Sequence, residues 1–155
     1  MKNQYCYVAV GGTFDSLHEG HKLLLKTCFK VGKKVLIGLT SDSLAKRKSH
    51  YVPSFIQRKK EIESFLRKLG VLDRAKIIML EDAYGPTISD DKICTIVVSE
   101  ETFIRALEIN RIRRSRGLPP LRIVTVELVK DKDLRPISSA KIRRREVNWK
   151  PLLEI

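Results

Sequence analysis

The sequence predicts a single α/β domain built on an open parallel sheet, and three observations lead there. Short apolar, β-rich runs recur along the chain, each stopped by glycine, polar or turn residues. Between them lie segments with apolar residues at three- and four-residue spacing, as expected of helices with one buried face. The 155 residues, 43% of them hydrophobic, suffice for one core, with no internal repeat, low-complexity tract or linker to divide it.

Tyr5 to Val10 (YCYVAV) is the first expected strand and stops at Gly11-Gly12. A helix follows from about Gly20, with Leu24, Leu25, Cys28 and Phe29 on one face, until Gly32. Lys34 to Leu39 (KVLIGL) is a second strand, after which Thr40-Ser41-Asp42 offers N-cap chemistry for a short helix through Ala45. Val52-Pro53-Ser54 marks a loop, with Ser54 capping an amphipathic helix that runs to Leu69 and ends at Gly70. Lys76 to Leu80 and Thr95 to Val98 are further buried strands, separated by an acidic, turn-rich connector, EDAYGPTISDD. Ser99-Glu100-Glu101 opens another helix reaching about Arg116, Arg122 to Leu128 is the last strand, and Ser138 begins a basic C-terminal helix. This alternation implies a Rossmann-like, doubly wound sheet of about five parallel strands with flanking helices over residues 1–155. Ligands bind such sheets beyond the carboxyl ends of the strands. GGTFDSLHEGH, TSDSLAKRK, SEE and, after a short loop, PISSAKIRR all follow strands and should meet at one edge.

The net charge of +13 is the strongest compositional signal. Basic residues cluster at 46–48, 58–60, 111–116 and 141–145, a balance that favours polyanionic partners such as nucleotides or phosphorylated metabolites. Most individual side chains in such clusters form a solvated face. Aromatic residues are only 6% and do not alternate with basic ones, which argues against nucleic acid as the partner. No apolar run is long enough to cross a bilayer, and no secretory h-region follows Met1, so a membrane partner is not expected. Cys6, Cys28 and Cys94 lie in apolar stretches and are expected as buried, reduced thiols of a cytoplasmic protein.

The stretch GGTFDSLHEGH carries the densest chemistry. Two glycines after a strand let backbone pass close to a ligand, and the N–H groups of the next helix suit an anion. Thr13 adds a hydroxyl donor. Asp15 could meet a ligand amine or hydroxyl, although bracing the loop by accepting backbone N–H bonds is the commoner use. His18 and His21 bracket Gly20. A zinc site would need further ligands, yet His50 is the only other histidine and no cysteine pair is spaced for a metal. No nucleophilic serine elbow is present. As phosphate donors the two histidines need no further partner. Pro136 to Arg143 (PISSAKIR) places hydroxyls at an expected helix start with cations behind them, which suits a triphosphate.

With both motifs in view, GGTFDSLHEGH resembles the N-terminal motif of the HxGH nucleotidyltransferase superfamily, and PISSAKIR its second motif. Within that superfamily, IGLTSD, VVSEET, Ile109-Asn110 before basic residues, GLPPL and PISSAKIRRRE resemble the phosphopantetheine adenylyltransferase family of archaeal and eukaryotic type. The resemblance implies transfer of AMP from ATP to 4′-phosphopantetheine, giving dephospho-coenzyme A and pyrophosphate in coenzyme A biosynthesis. It assigns Thr13 and His21 to the α-phosphate and His18 to the triphosphate, with Gly12 and Phe14 completing the ATP-binding turn. Ser138, Ser139 and Arg143 would hold the β- and γ-phosphates, and Asn110 and Arg111 would face the nucleotide. Lys46, or its neighbours Arg47 and Lys48, would hold the acceptor phosphate, with Asp15 and Thr40 beside it. Mg²⁺ would travel on the ATP phosphates with no dedicated protein site. Bacterial members carry an arginine-rich stretch where this chain has Ser99-Glu100, and the oligomeric state stays open between a monomer and a small homo-oligomer.

Two other readings remain open on the residues alone. One is a sister enzyme, a glycerol-3-phosphate cytidylyltransferase or an FMN adenylyltransferase, although the TxGxSTT type of second motif is absent. The other is a non-catalytic nucleotide- or nucleic-acid-binding protein on the same fold, against which the presence of Thr13, His18 and His21 weighs.

Overall fold

The computed structural model of the chain describes residues 6–48 and 50–128 together with the strand 142–147. Five strands run parallel: β1 (Tyr7–Gly12), β2 (Lys34–Thr40), β3 (Ala75–Leu80), β4 (Ile93–Ser99) and β5 (Arg122–Leu128). A sixth, β6 (Ile142–Val147), pairs antiparallel with β5. The sheet order is β3-β2-β1-β4-β5-β6, so the chain reverses its direction of winding between β1 and β4. Helices α1 (Glu19–Val31), α2 (Asp42–Ala45), α3 (Phe55–Leu69) and α4 (Phe103–Ser115) fill the connections.

Alternation along the strands divides the core into two layers. Val8, Val10, Val35, Ile37 and Leu39 point to the face covered by Leu25, Cys28 and Phe29 of α1 and Ile62 and Leu66 of α3. Ala9, Leu36, Ile96, Val98 and Ile123 point to the other face, against Ala106 and Ile109 of α4. That second face is only partly covered. The connection from β3 to β4 has a short 3₁₀ turn, Gly85–Ile88, where a doubly wound sheet ordinarily carries a full helix. The floor above β1, β2 and β3 is therefore left as a cleft.

Two expectations are corrected. Residues 142–147 form a strand and not part of a helix; β5 would otherwise end the sheet with unpaired N–H and C=O groups, which β6 satisfies. Cys6 and Cys94 form a disulfide, because β1 and β4 are adjacent and bring their Cα atoms to 5.5 Å. Cys28 is the buried free thiol, and burial pushes its pKa up. The boundary of α4 also moves. Ser99 ends β4, and its N–H is held by the Thr102 hydroxyl at 3.1 Å before the helix starts at Phe103. No described helix is long and apolar enough to cross a membrane.

Candidate active site

The end of β1 turns sharply into α1, and the turn is strained. Phe14 and Leu17 have φ of 49° and 40°, a left-handed region that non-glycine residues seldom occupy. Gly12 lies close beneath it, and a Cβ there would meet the Phe14 ring at 3.3 Å, a tight contact. Phe14 itself is buried in the core and packs against the His21 ring, with centroids 5.1 Å apart. Its side chain props the turn from below. Thr13, one residue earlier, lines the cleft, and its Oγ1 accepts from the Thr40 hydroxyl at 3.2 Å.

His18 is the N-cap of α1. Its Nδ1 accepts from the N–H groups of Gly20 at 3.1 Å and His21 at 3.4 Å. These bonds require Nδ1 to be unprotonated, so the neutral ring carries its proton on Nε2, free to donate to a ligand. They also occupy two helix N–H groups that the sequence suggested for an anion; side chains must supply those donors instead. The His18 and His21 rings stack with centroids 3.8 Å apart. His21 Nδ1 is buried and has no hydrogen-bond partner. Burial first, and then the adjacent His18, push the His21 pKa down to about 4, so it is neutral at physiological pH.

Asp15 braces the loop differently from the expectation. Its carboxylate pairs with His50 Nε2 and so ties the turn after β1 to the segment that follows α2. That bond is the main reason its pKa is lowered. Of the three consecutive cations on this segment, Arg47 and Lys48 line the main cleft. Lys46 instead faces a smaller hollow with Asp42, His50 and Tyr51.

The cleft has a volume of about 700 Å³ and begins at the carboxyl ends of β1 and β2, where Gly12, Thr13 and Thr40 lie. Its floor is apolar, from Ala9, Leu36 and Ile78, and Asp82 to Thr87 form one wall. Asp82 holds that wall by accepting from the N–H groups of Gly85 at 2.7 Å and Tyr84 at 2.9 Å, and these two bonds lower its pKa. Glu101, just before α4, and Arg105 and Glu108 on it line the cleft beside that wall. There Arg105 donates to Glu108 at 2.9 Å and lies over the Tyr84 ring.

Asn110 and Arg111 do not face this cleft. Asn110 is buried, donating from Nδ2 to the Leu121 carbonyl at 2.9 Å and accepting from its N–H at 2.6 Å. Both amide groups therefore serve as a clip between α4 and β5. Arg111 is exposed on the later part of the helix. Ser138 and Ser139 lie outside the described residues, and Arg143 falls within β6, opposite Glu127.

Two buried arginines were passed over as members of basic clusters. Arg58 is fully buried and bonds to Pro53, Thr13, Thr40 and Asp42. Arg113 donates to the carbonyls of Pro119 at 2.8 Å, Thr87 at 2.8 Å and Asp90 at 2.9 Å, which fixes the connector behind the cleft wall. Burial lowers its pKa, opposed by Asp90 and Asp91. The signal for both was positional. Arg58 precedes Ile62 and Leu66 at four-residue steps, and Arg113 continues the stripe of Ala106, Ile109 and Asn110.

Comparison with known proteins agrees with this geometry. Residues 9–145 match the family described as cytidylyltransferase-like. The chain is 47% identical to the phosphopantetheine adenylyltransferase of Methanopyrus kandleri, over 88% of this chain and 87% of that one. It is 45% identical to the enzyme of that name from Methanothermobacter thermautotrophicus (96% and 89% covered), and 41% identical to that of Thermococcus kodakarensis (97% and 96%). Among solved structures, a protein of unknown function from Archaeoglobus fulgidus superposes with a TM-score of 0.71 at 36% identity, covering 77% of this chain and 87% of the other. The chain belongs to the cytidylyltransferase-like family and, within it, to the phosphopantetheine adenylyltransferases.

Proposed function

We propose that the chain transfers the adenylyl group of ATP to 4′-phosphopantetheine, releasing pyrophosphate and forming dephospho-coenzyme A. The observation that carries this reading is a cleft with an apolar floor, lined by Thr13, Arg47 and Lys48, next to the strained turn after which His18 and His21 stack on one another at the start of α1. The high identity to phosphopantetheine adenylyltransferases over nearly the whole chain supports the choice of acceptor.

The reaction needs little covalent help from the protein. The acceptor phosphomonoester is already anionic near neutral pH, so an oxygen of it attacks the α-phosphorus of ATP without a general base. A new P–O bond forms as the bond between the α-phosphorus and the bridging oxygen to the β-phosphate breaks, and pyrophosphate leaves with that electron pair. The protein's work is to hold two mutually repelling anions in line and to stabilise charge at the α-phosphate. Thr13 and His21 are the donors for that charge, and His18 Nε2 for the triphosphate. Arg47 and Lys48 counter the acceptor phosphate, and the apolar floor accommodates the pantetheine arm. ATP enters as its magnesium complex. Among the described residues no three His, Cys, Asp or Glu side chains converge as a metal cage, and the donors at the turn suit phosphate oxygens.

The test is pyrophosphate release from ATP with 4′-phosphopantetheine, set against ATP with FMN and CTP with glycerol 3-phosphate. Release is expected with the first pair alone; release with either other pair and none with the first overturns the reading.

A further inference from the structure

Arg58 occupies a position on α3 that a hydrophobic side chain would fill at lower desolvation cost, and Asp42, the only carboxylate it reaches among the described residues, is more than half exposed. Its bonds lead toward the reacting end of the cleft. Nε donates to the Pro53 carbonyl at 2.8 Å, and Nη2 reaches Asp42 Oδ1 at 3.4 Å. Nη1 donates both to the Thr13 carbonyl at 3.0 Å and to Thr40 Oγ1 at 3.2 Å. A guanidinium can only donate. Thr40 Oγ1 therefore acts as acceptor toward Arg58, and its own hydroxyl donates to Thr13 Oγ1 at 3.2 Å. Thr13 Oγ1, accepting from behind, is left with its own proton to donate. Thr13 lines the cleft, so the direction in which that proton is offered is the direction of an incoming phosphate oxygen.

We propose that Arg58, acting through Thr40, sets the polarity of this hydroxyl chain and holds Thr13 as a hydrogen-bond donor toward the substrate phosphate. Arg58 and Thr40 are then positioning residues, and Thr40 meets Thr13 instead of the acceptor. Without the chain, the Thr13 hydroxyl can turn its lone pairs to the phosphate as readily as its proton. A lone pair facing a phosphate oxygen is repulsive. The same guanidinium holds the Thr13 carbonyl, so the backbone and the hydroxyl of this residue are oriented by one group.

This inference rests on the adenylyl-transfer reading, and the experiment separates the two. Dissociation constants for ATP by calorimetry, and kcat/KM for pyrophosphate release with 4′-phosphopantetheine, are measured for wild type, Thr40→Ser, Thr40→Val, Arg58→Lys and the Thr40→Val/Arg58→Lys double variant. Thr40→Ser keeps the relay and is expected within twofold of wild type in both quantities. Thr40→Val matches the shape but breaks the relay, and is expected to lose about 10- to 150-fold in kcat/KM, the size of one hydrogen bond to a charged group. ATP binding should weaken in the same direction. The double variant should lose no more than the worse single variant, since both interrupt one chain. Full activity in Thr40→Val, or losses that multiply in the double variant, overturns the proposal. So does a Thr40→Ser loss as large as that of Thr40→Val, which would make the residue merely structural. Should Arg58→Lys not fold, the Ser–Val comparison at Thr40 decides alone. Should wild type bind ATP yet release no pyrophosphate with 4′-phosphopantetheine, the reading of the acceptor falls, and the ATP affinities still decide the polarity of Thr13.

Discussion

The imidazole of His18 lies face to face with that of His21, centroids 3.8 Å apart and planes 14° apart, while His18 Nδ1 accepts from the His21 backbone N–H. One ring thus caps the helix, shields its neighbour and keeps Nε2–H for a ligand. Replacing His18 by Asn keeps a capping acceptor and removes the donor; replacing it by Ala removes both. Unfolding curves should show His18→Asn close to wild type and His18→Ala about 1 kcal/mol less stable. Pyrophosphate release should fall at least about tenfold in both.

The half-buried His21 should titrate near pH 4 in the ligand-free protein, well below an ordinary histidine. An unfolded chain binds this proton near pH 6.5, so between about pH 6.5 and 4 the unfolded state holds more protons than the folded one. The contribution of His21 to stability is therefore full above pH 6.5 and is lost as the pH falls through 4. An adjacent polyanion favours the charged ring, so ATP should raise this pKa in an NMR titration. His21→Ala should slow turnover by about two to three orders of magnitude with the fold intact. Unchanged turnover removes His21 from the reaction.

Arg47 and Lys48 line the cleft, whereas Lys46 faces the side hollow. Steady-state kinetics with varied 4′-phosphopantetheine should show KM raised about tenfold or more in Arg47→Ala or Lys48→Ala. Lys46→Ala should differ by less than either. The reverse order would return the acceptor role to Lys46.

Asn110→Ala leaves the Leu121 N–H and C=O without their partner in a buried place. Denaturant unfolding should report a loss of about 2–3 kcal/mol. The KM for ATP of the folded enzyme should stay within twofold of wild type. A large rise in that KM at unchanged stability would restore Asn110 to the nucleotide site.

The Cys6–Cys94 bond joins residues 88 apart in sequence at the amino ends of β1 and β4, across the sheet from the active-site edge. Cys6→Ser/Cys94→Ser should lower stability by about 2–4 kcal/mol in thermal or denaturant unfolding. kcat below the melting transition should stay unchanged.

The division between what could be read and what could not follows the range of the interactions. Strand runs, the α1 and α3 stripes and the caps at Ser41 and Ser54 depend on residues within a few positions of one another, and all are visible along the chain. His18 and His21 lie within one helical turn, so their proximity is legible too. Residues 142–147 depart from the expected helix because β6 answers a need of β5, a partner distant in sequence. Cys6 and Cys94 looked like separate apolar thiols because only the pairing of β1 with β4 makes them neighbours.

The sequence by itself determined the class of fold and the local motif, Gly11 to His21, that leads from β1 into α1. Tertiary structure alone decided which cations face the cleft, which polar groups are already engaged and that the Thr40 hydroxyl reaches Thr13. Arg58 and Arg113 mark that boundary. Each sits in a cluster that suggests solvent, and each is buried because carbonyls from distant segments converge on its guanidinium. Charge and spacing are properties of the chain, but the satisfaction of a buried donor depends on groups that only folding brings within 3 Å.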